Sequence, residues 1–97
     1  MAFYRPVIPP HVGERLRHLA PDLKRGIREA IRAIAIDPGL GAPLKRELQG
    51  YMKFRVRRYR IVYRTDHHSR IIAIMAIGHR RSVYEDVAAA IREKSGG

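Results

Sequence analysis

The sequence predicts a single α+β domain: a small antiparallel sheet with a mixed edge, an N-terminal helical hairpin packed on one face, and a short C-terminal helix. Three observations predict it. The chain has 97 residues, enough for one hydrophobic core. Apolar residues recur at helical spacing before residue 37 and after residue 82, and they alternate as in strands between these segments. The predicted order is β-α-α-β-β-β-α, and we expect the helices to share one sheet face.

The N-terminal part comprises a strand and two helices. Phe3 to Ile8 is an aromatic and β-branched run that is stopped by Pro9-Pro10, which predicts a first strand. A first helix starts at Pro10, and its apolar residues are Val12, Leu16 and Leu19. Asp22 is the expected N-cap of a second helix, whose apolar stripe comprises Leu23, Ile27, Ala30, Ile31 and Ile34. Asp37-Pro38-Gly39 ends this helix.

Three strands in close succession predict an antiparallel meander. In residues 51–57 the apolar side chains alternate with cations, which are Lys53, Arg55 and Arg57. Residues 59–65 place Tyr59, Ile61 and Tyr63 on one face and Arg60, Val62 and Arg64 on the other. After a polar turn, residues 70–77 are almost continuously apolar, which is typical of a central strand covered on both faces. Ser82-Val83-Tyr84-Glu85 fits the capping-box pattern and begins the last helix.

Positive charge is concentrated in the predicted meander. The chain carries 20 Lys and Arg against 9 Asp and Glu, a formal net charge of +11. Residues 45–81 hold 11 of the basic and 2 of the acidic side chains, a net of +9. Such a field favours a polyanionic partner, either a nucleic acid or an acidic protein.

The composition excludes or disfavours several other classes of protein. The sequence has no cysteine, which excludes disulfides and thiolate chemistry. The longest apolar run, Ile71 to Ile77, is far shorter than the roughly 20 residues that cross a bilayer. The N-terminal residues lack the apolar segment of a signal peptide, so we expect a cytoplasmic protein. His67-His68 is interpreted as part of a turn, and we expect no metal site.

The second half of the chain resembles the RelE branch of the RelE/ParE toxin superfamily. The motifs that carry the resemblance are Leu44-Lys-Arg-Glu-Leu-Gln-Gly50, Lys53-Phe-Arg-Val-Arg57, Tyr59-Arg-Ile-Val-Tyr63 and Gly78-His-Arg-Arg-Ser-Val-Tyr84. The order of predicted elements agrees as well, so the resemblance covers nearly the whole chain and implies one RelE-like domain over residues 1–97. It implies the toxin of a type II toxin–antitoxin pair that cleaves mRNA in the ribosomal A site without a cofactor and arrests growth. The implied partners are the ribosome, mRNA and a RelB-like antitoxin that covers the basic surface.

Carried over by position, the catalytic residues of the family fall on Lys53, Arg55, Arg60, Arg80 and Tyr84. Arg55 and His79 stand where well-known members have lysines. Attack of a ribose 2′-OH on the adjacent phosphate requires a base, an acid and cations that stabilise the phosphorane. Arg60 and Arg80 suit the stabilising role, since guanidinium groups are always charged and bind phosphate oxygens in pairs.

The sequence does not decide which side chains act as the base and the acid. Lys53 or Tyr84 could act as the base if the surrounding cations favour its deprotonated form, and Tyr84 could instead stack on a nucleobase. His79 is either a proton carrier, a common role of imidazole groups in catalysis, or a polar residue at a strand end. Further cations expected to contact RNA are Lys45, Arg46, Arg57, Arg58 and Arg81. Three tyrosines of the same segment are candidates for stacking on RNA bases: Tyr51, Tyr59 and Tyr63.

Three alternatives to a ribonuclease toxin remain. The first is a ParE-type toxin, a non-enzymatic inhibitor of DNA gyrase on the same fold, although that branch generally lacks the basic cluster. The second is a structural RNA-binding module without activity. A third possibility is a toxin that has lost its activity, which the departures at Arg55 and His79 leave open.

Overall fold

The computed structural model describes residues 3–79 and 82–96 and confirms the α+β class with its predicted order of elements. The strands are β1 (Arg5–Val7), β2 (Ala42–Pro43), β3 (Met52–Val56), β4 (Tyr59–Asp66) and β5 (Ile71–His79). The helices are α1 (Pro10–Arg17), α2 (Pro21–Ile36) and α3 (Ser82–Gly96). Short 3-10 turns over Pro38–Leu40 and Arg46–Leu48 flank β2, a strand that the sequence did not predict.

The five strands form one sheet in the order β1-β5-β4-β3-β2. The predicted meander β3-β4-β5 is antiparallel throughout, and β1 pairs in parallel with β5 to give the mixed edge. A one-residue irregularity interrupts the pairing of β4 with β5, because Val62 pairs with Ala76 whereas Tyr63 pairs with Ile74. Met75 is therefore a bulge residue, and it shifts the alternation of β5 by one position.

The helical hairpin covers one sheet face, hereafter the hairpin face. The buried stripe of α2 packs there on alternate residues of the strands, namely Ile61, Tyr63, Ile72, Ile74 and Ile77. Ile27 and Ile34 of α2 are fully buried in this core. Burying an aliphatic side chain of this size contributes about 2 kcal/mol, so this face supplies most of the hydrophobic stabilisation.

The last helix packs on the opposite face, hereafter the α3 face, which corrects the expectation that all helices share one face. Val83 and Val87 of α3 are buried against Val62 and Ala76 of the sheet. The bulge is one cause, since it turns both Met75 and Ala76 toward α3. A continuous apolar run such as that of β5 thus serves two cores.

Several predicted boundaries also differ. The first strand is only Arg5–Val7, and Pro21 rather than Asp22 begins α2, with Ala20 as the N-cap residue. Asp22 lies in the first helical turn, where its charge suits the helix dipole. Arg57 belongs to the two-residue turn between β3 and β4 rather than to β3.

Candidate functional site

Three of the predicted catalytic cations meet on the α3 face. Lys53 and Arg55 project from β3 on the side opposite its apolar residues, and Arg60 follows on β4. The strand register places Arg55 directly opposite Arg60, and Lys53 opposite the buried Val62. We call Lys53, Arg55 and Arg60 the basic cluster.

The basic cluster brings like charges together without neutralising them. Ion pairs in the described part of the chain join Arg15 to Asp86, Glu14 to Arg17 and His18, and Glu47 to Arg92, so they leave the basic cluster out. Its two arginines instead donate to backbone carbonyls, Arg55 to that of Arg57 at 3.1 Å and Arg60 to that of Tyr59 at 3.2 Å. Like charges directly opposite each other on paired strands destabilise a sheet. An anion bound between them would relieve that repulsion.

The basic cluster borders an open cleft of about 400 Å³. One wall is the segment Leu40–Ala42, and the other consists of the three cations together with Phe54. Sequence reasoning did not identify this wall. Its glycine and proline content predicted a loop, but no pattern in it indicated which surface the loop would approach.

A buried tyrosine holds this wall in place. The Tyr63 hydroxyl donates to the carbonyl of Pro38 at 2.8 Å and accepts from the amide of Gly41 at 3.0 Å. Burial raises the pKa of Tyr63, although the bond from the Gly41 amide partly opposes that shift. Since Tyr63 is fully buried, it cannot stack on an RNA base, and the stacking expectation for it is wrong.

Tyr84 joins the basic cluster from α3. The ammonium of Lys53 lies 6.0 Å from the centre of the Tyr84 ring, at the outer limit of a cation–π contact. Tyr84 is half-buried and packs on the α3 core, which fixes its position relative to the sheet. Docking of α3 therefore assembles four of the predicted catalytic residues on one surface.

The structure places His79 elsewhere. Because His79 pairs with Tyr59 and follows Ile77 by two residues, its side chain lies on the hairpin face. There it stacks on the Tyr59 ring with centroids 4.5 Å apart. A direct proton transfer to a phosphate at the basic cluster would have to pass around the end of the sheet.

The remaining predicted residues are dispersed. Lys45 and Arg46 are exposed near the 3-10 turn before β3, and Arg57 and Arg58 form the exposed tip of the β3–β4 hairpin. Of the other tyrosines, Tyr51 packs on the α3 core and Tyr59 on the hairpin core. The predicted catalytic Arg80 and RNA-binding Arg81 lie outside the described residues.

Among residues 3–79 and 82–96, no three His, Asp or Glu side chains are grouped as metal ligands would be. None of the helices in the same described ranges is long and apolar enough to cross a membrane.

Comparisons with known proteins place the chain in a family. The sequence profile of the ParE toxin of type II toxin–antitoxin systems, parDE, matches residues 9–84. No curated protein sequence matches the chain. Since the profile spans most of the chain, the protein belongs to this family of toxins, within the RelE/ParE superfamily.

Solved structures of toxins share the fold. The RelBE2 toxin–antitoxin complex from Mycobacterium tuberculosis contains a chain that is 29% identical, with a TM-score of 0.72 over 80% of this chain and 99% of that one. A mutant of the E. coli toxin RelE in the free state is 18% identical, with a TM-score of 0.76 over 94% and 99%. A YoeB/ParE toxin from Agrobacterium tumefaciens is 21% identical, with a TM-score of 0.68 over 78% and 98%. The protein is thus a toxin of a type II toxin–antitoxin system.

Proposed function

We propose that the protein is a metal-independent endoribonuclease that acts in the cytoplasm and cleaves mRNA in the ribosomal A site. The observation that carries the proposal is the basic cluster, in which Lys53, Arg55 and Arg60 share the α3 face beside Tyr84 and border an open cleft. A surface of this composition binds the phosphates of a single strand and offers it an aromatic ring.

The chemistry follows from the position of each side chain. Arg55 and Arg60 face each other across two strands, so a phosphate between them could receive charge-assisted hydrogen bonds from both. Both guanidinium groups stay charged as the phosphorane forms, which stabilises the transition state without proton transfer. Lys53 and Tyr84 are near enough to each other to act on one 2′-OH, with one accepting its proton and the other orienting it. As the new bond to phosphorus forms, the bond to the 5′ oxygen breaks, and this leaving oxygen takes a proton from solvent water. Arg80 is assigned a second phosphorane contact on the strength of the family resemblance.

An antitoxin of RelB-like character is the proposed partner in the resting state. Its acidic groups would neutralise the basic cluster, and displacement of α3 would remove Tyr84 from it. Either change would suppress cleavage, because the cations and the aromatic residue would no longer reach the same phosphate.

Purified ribosomes that translate a defined mRNA provide the test, with cleavage mapped by primer extension. Arg60→Ala should lower the cleavage rate about 100-fold, the usual effect of removing one transition-state donor. Tyr84→Phe, which keeps the packing and removes the hydroxyl, separates proton transfer from stacking. Arg28→Ala is the matched control, since Arg28 is an exposed arginine of α2, behind the hairpin face. Cleavage by Arg60→Ala at the rate of the unmodified protein would show that the basic cluster is not the active site.

A second candidate function is inhibition of DNA gyrase, which the match to the ParE profile favours. Supercoiling of relaxed plasmid by gyrase, measured with increasing toxin, distinguishes the two functions. The ribonuclease proposal predicts unimpaired supercoiling together with cleaved mRNA. Blocked supercoiling together with intact mRNA would establish the gyrase function instead, and binding of RNA without either effect would indicate a non-catalytic module.

A further inference from the structure

A second cleft lies at the tip of the β3–β4 hairpin, apart from the basic cluster. Its volume is about 360 Å³, and its apolar surface comes from Ala20 and Leu23 at the start of α2 and from the ring of Tyr59. We call it the hairpin-tip cleft. It reaches the hairpin face, whereas the basic cluster occupies the α3 face of the same two strands.

The polar groups around the hairpin-tip cleft are of three kinds. Two cations, Arg57 and Arg58, come from the turn, the carboxylate of Asp22 comes from α2, and the imidazole of His79 comes from β5. His79 already stacks on Tyr59, with 39° between the ring planes. An apolar recess with an aromatic pair, a hydrogen-bond acceptor and two adjacent cations matches the parts of a nucleotide: a flat ring, an amino group and a phosphate.

The backbone of the turn determines where the first of these cations lies. Arg57 has a φ of 56°, in the left-handed region that is unfavourable for residues other than glycine, asparagine and aspartate. Two-residue hairpin turns favour Asn-Gly for that reason, yet this chain has Arg57-Arg58. Arg46 and Arg70 have nearly the same φ in other turns, so the conformation fixes where Arg57 lies and does not by itself indicate a function.

The cations of the turn are also available to a ligand. Both are exposed, and the ion pairs in the described part of the chain do not include Arg57, Arg58 or Asp22. The carboxylate of Asp22 would repel a phosphate but accept a hydrogen bond from an exocyclic amine, which adenine, cytosine and guanine carry and uracil lacks. In this arrangement a phosphate would bind at the turn, and its base would lie against α2.

We propose that the hairpin-tip cleft binds one nucleobase with an exocyclic amine, stacked on the Tyr59–His79 pair, with its phosphate held by Arg57 and Arg58. The proposal rests on the proposed function, because the base would belong to the RNA strand whose scissile phosphate lies at the basic cluster. Tyr59 and Arg60 are consecutive residues whose side chains leave the strand on opposite faces. The strand would therefore pass around the end of the sheet, with cleavage on one face and base recognition on the other.

The test uses a short 2′-O-methyl RNA, which lacks the attacking 2′-OH and so binds without cleavage or ribosomes. Its affinity is compared with that of versions that carry one abasic position each. Loss of the base that occupies the hairpin-tip cleft should weaken binding about tenfold, the usual contribution of one stacked base. At that position uracil should bind more weakly than adenine or cytosine.

Two variants connect this effect to the hairpin-tip cleft. His79→Ala should weaken binding of the intact oligonucleotide about tenfold. The affinity for the oligonucleotide that lacks the base at the hairpin-tip cleft should stay the same. His68→Ala is the control, since His68 is an exposed histidine in the turn at the other end of the sheet. Equal affinity of the intact and abasic oligonucleotides at every position, or unchanged binding by His79→Ala, would overturn the inference. Neither result would bear on ribosome-dependent cleavage, which the Arg60→Ala experiment tests separately.

Discussion

Gly41 determines the shape of the cleft beside the basic cluster more directly than any charged residue. A Cβ atom at this position would lie 2.5 Å from the Tyr63 hydroxyl oxygen and 2.6 Å from the carbonyl oxygen of Lys53. Both atoms are held by their surroundings, one in the buried core and one in a strand backbone. Only glycine therefore allows the loop to approach β3 this closely.

We predict that Gly41→Ala destabilises the protein by about 2 kcal/mol, the typical cost of forcing an extra methyl into a closely packed site. The loop would move away from Lys53, so mRNA cleavage should fall as well. Urea unfolding measures the first effect and primer extension the second. Gly39→Ala is the control, because a Cβ at Gly39 has its nearest neighbour at an ordinary 3.5 Å. Equal stability of the two variants would contradict the prediction.

Ionisation of Tyr63 makes the stability of the folded protein decrease at alkaline pH. Since burial raises its pKa in the folded state, the unfolded chain loses this proton first as pH rises. Its contribution is therefore complete below the ordinary tyrosine pKa of about 10 and decreases as pH rises further.

The corresponding prediction concerns Tyr63→Phe. Near neutral pH the variant should lose about 2 kcal/mol, since the Gly41 amide and Pro38 carbonyl lose a partner in a partly buried place. Between pH 9 and 11 its stability should fall less steeply than that of the unmodified protein. Urea unfolding of both proteins across that pH range measures the loss of stability and its pH dependence. Parallel pH profiles would contradict the assignment of the alkaline pH dependence to Tyr63.

At the scale of elements, α3 depends on a small core. Its buried contacts with the sheet and with Leu48 of the 3-10 turn before β3 centre on Val83, Val87 and Ala88. In contrast, α2 buries a longer stripe on the hairpin face. Because local stability follows the amount of apolar contact, α3 should open at lower free energy than the sheet.

We predict that Val87→Ala selectively loosens α3. The substitution removes apolar contact with the α3 face, which should cost about 1–2 kcal/mol and make α3 amides exchange about tenfold faster. Hydrogen exchange measured by NMR would detect the change, with the amides of β4 and β5 as the internal reference. Equal acceleration in β4 would instead indicate that α3 and the sheet unfold as one unit.

Alternation in the sequence predicted much of the sheet. It assigned Met52, Phe54 and Val56 to the core and Lys53 and Arg55 to the other face, as the structure has them. It could not predict the Met75 bulge, because a continuous apolar run has no period from which a shift could be detected. That bulge is one cause of the packing of α3 on this face. Val62, an apolar residue between Arg60 and Arg64, was the available signal that this face needed a cover.

The candidate site was predictable where it depends on neighbouring strands. The short turn after Val56 implies the pairing of Arg55 with Arg60, so two of its cations follow from local sequence. The face on which His79 lies is set by the alternation of β5 after its bulge, and the bulge itself was not predictable. The cleft wall at Gly41 depends on a contact with Tyr63, which is distant in the sequence. Such features arise from long-range packing, which residue patterns do not record.

At the scale of the whole molecule, the net charge of +11 should dominate affinity for RNA. Each phosphate neutralised on a single strand adds about −0.7 to the slope of log affinity against log salt concentration. We predict that Arg60→Ala reduces the magnitude of this slope by about 0.7, whereas Arg28→Ala leaves it unchanged. Titrations of the 2′-O-methyl RNA between 50 and 300 mM salt measure the slopes. An identical slope for Arg60→Ala would place the phosphate elsewhere.

The parallel pairing of β1 with β5 has a consequence for biosynthesis. Arg5 pairs with Ile71, so the first strand joins the sheet only after the last strand has been made. Until then the apolar stripe of α2 lacks the part of its partner surface that β5 supplies, namely Ile72, Ile74 and Ile77. Since chains emerge with their N-terminus first, the nascent protein cannot complete its sheet during most of its translation. A copy whose synthesis stops before β5 leaves part of that stripe uncovered, and it also lacks α3 and with it Tyr84.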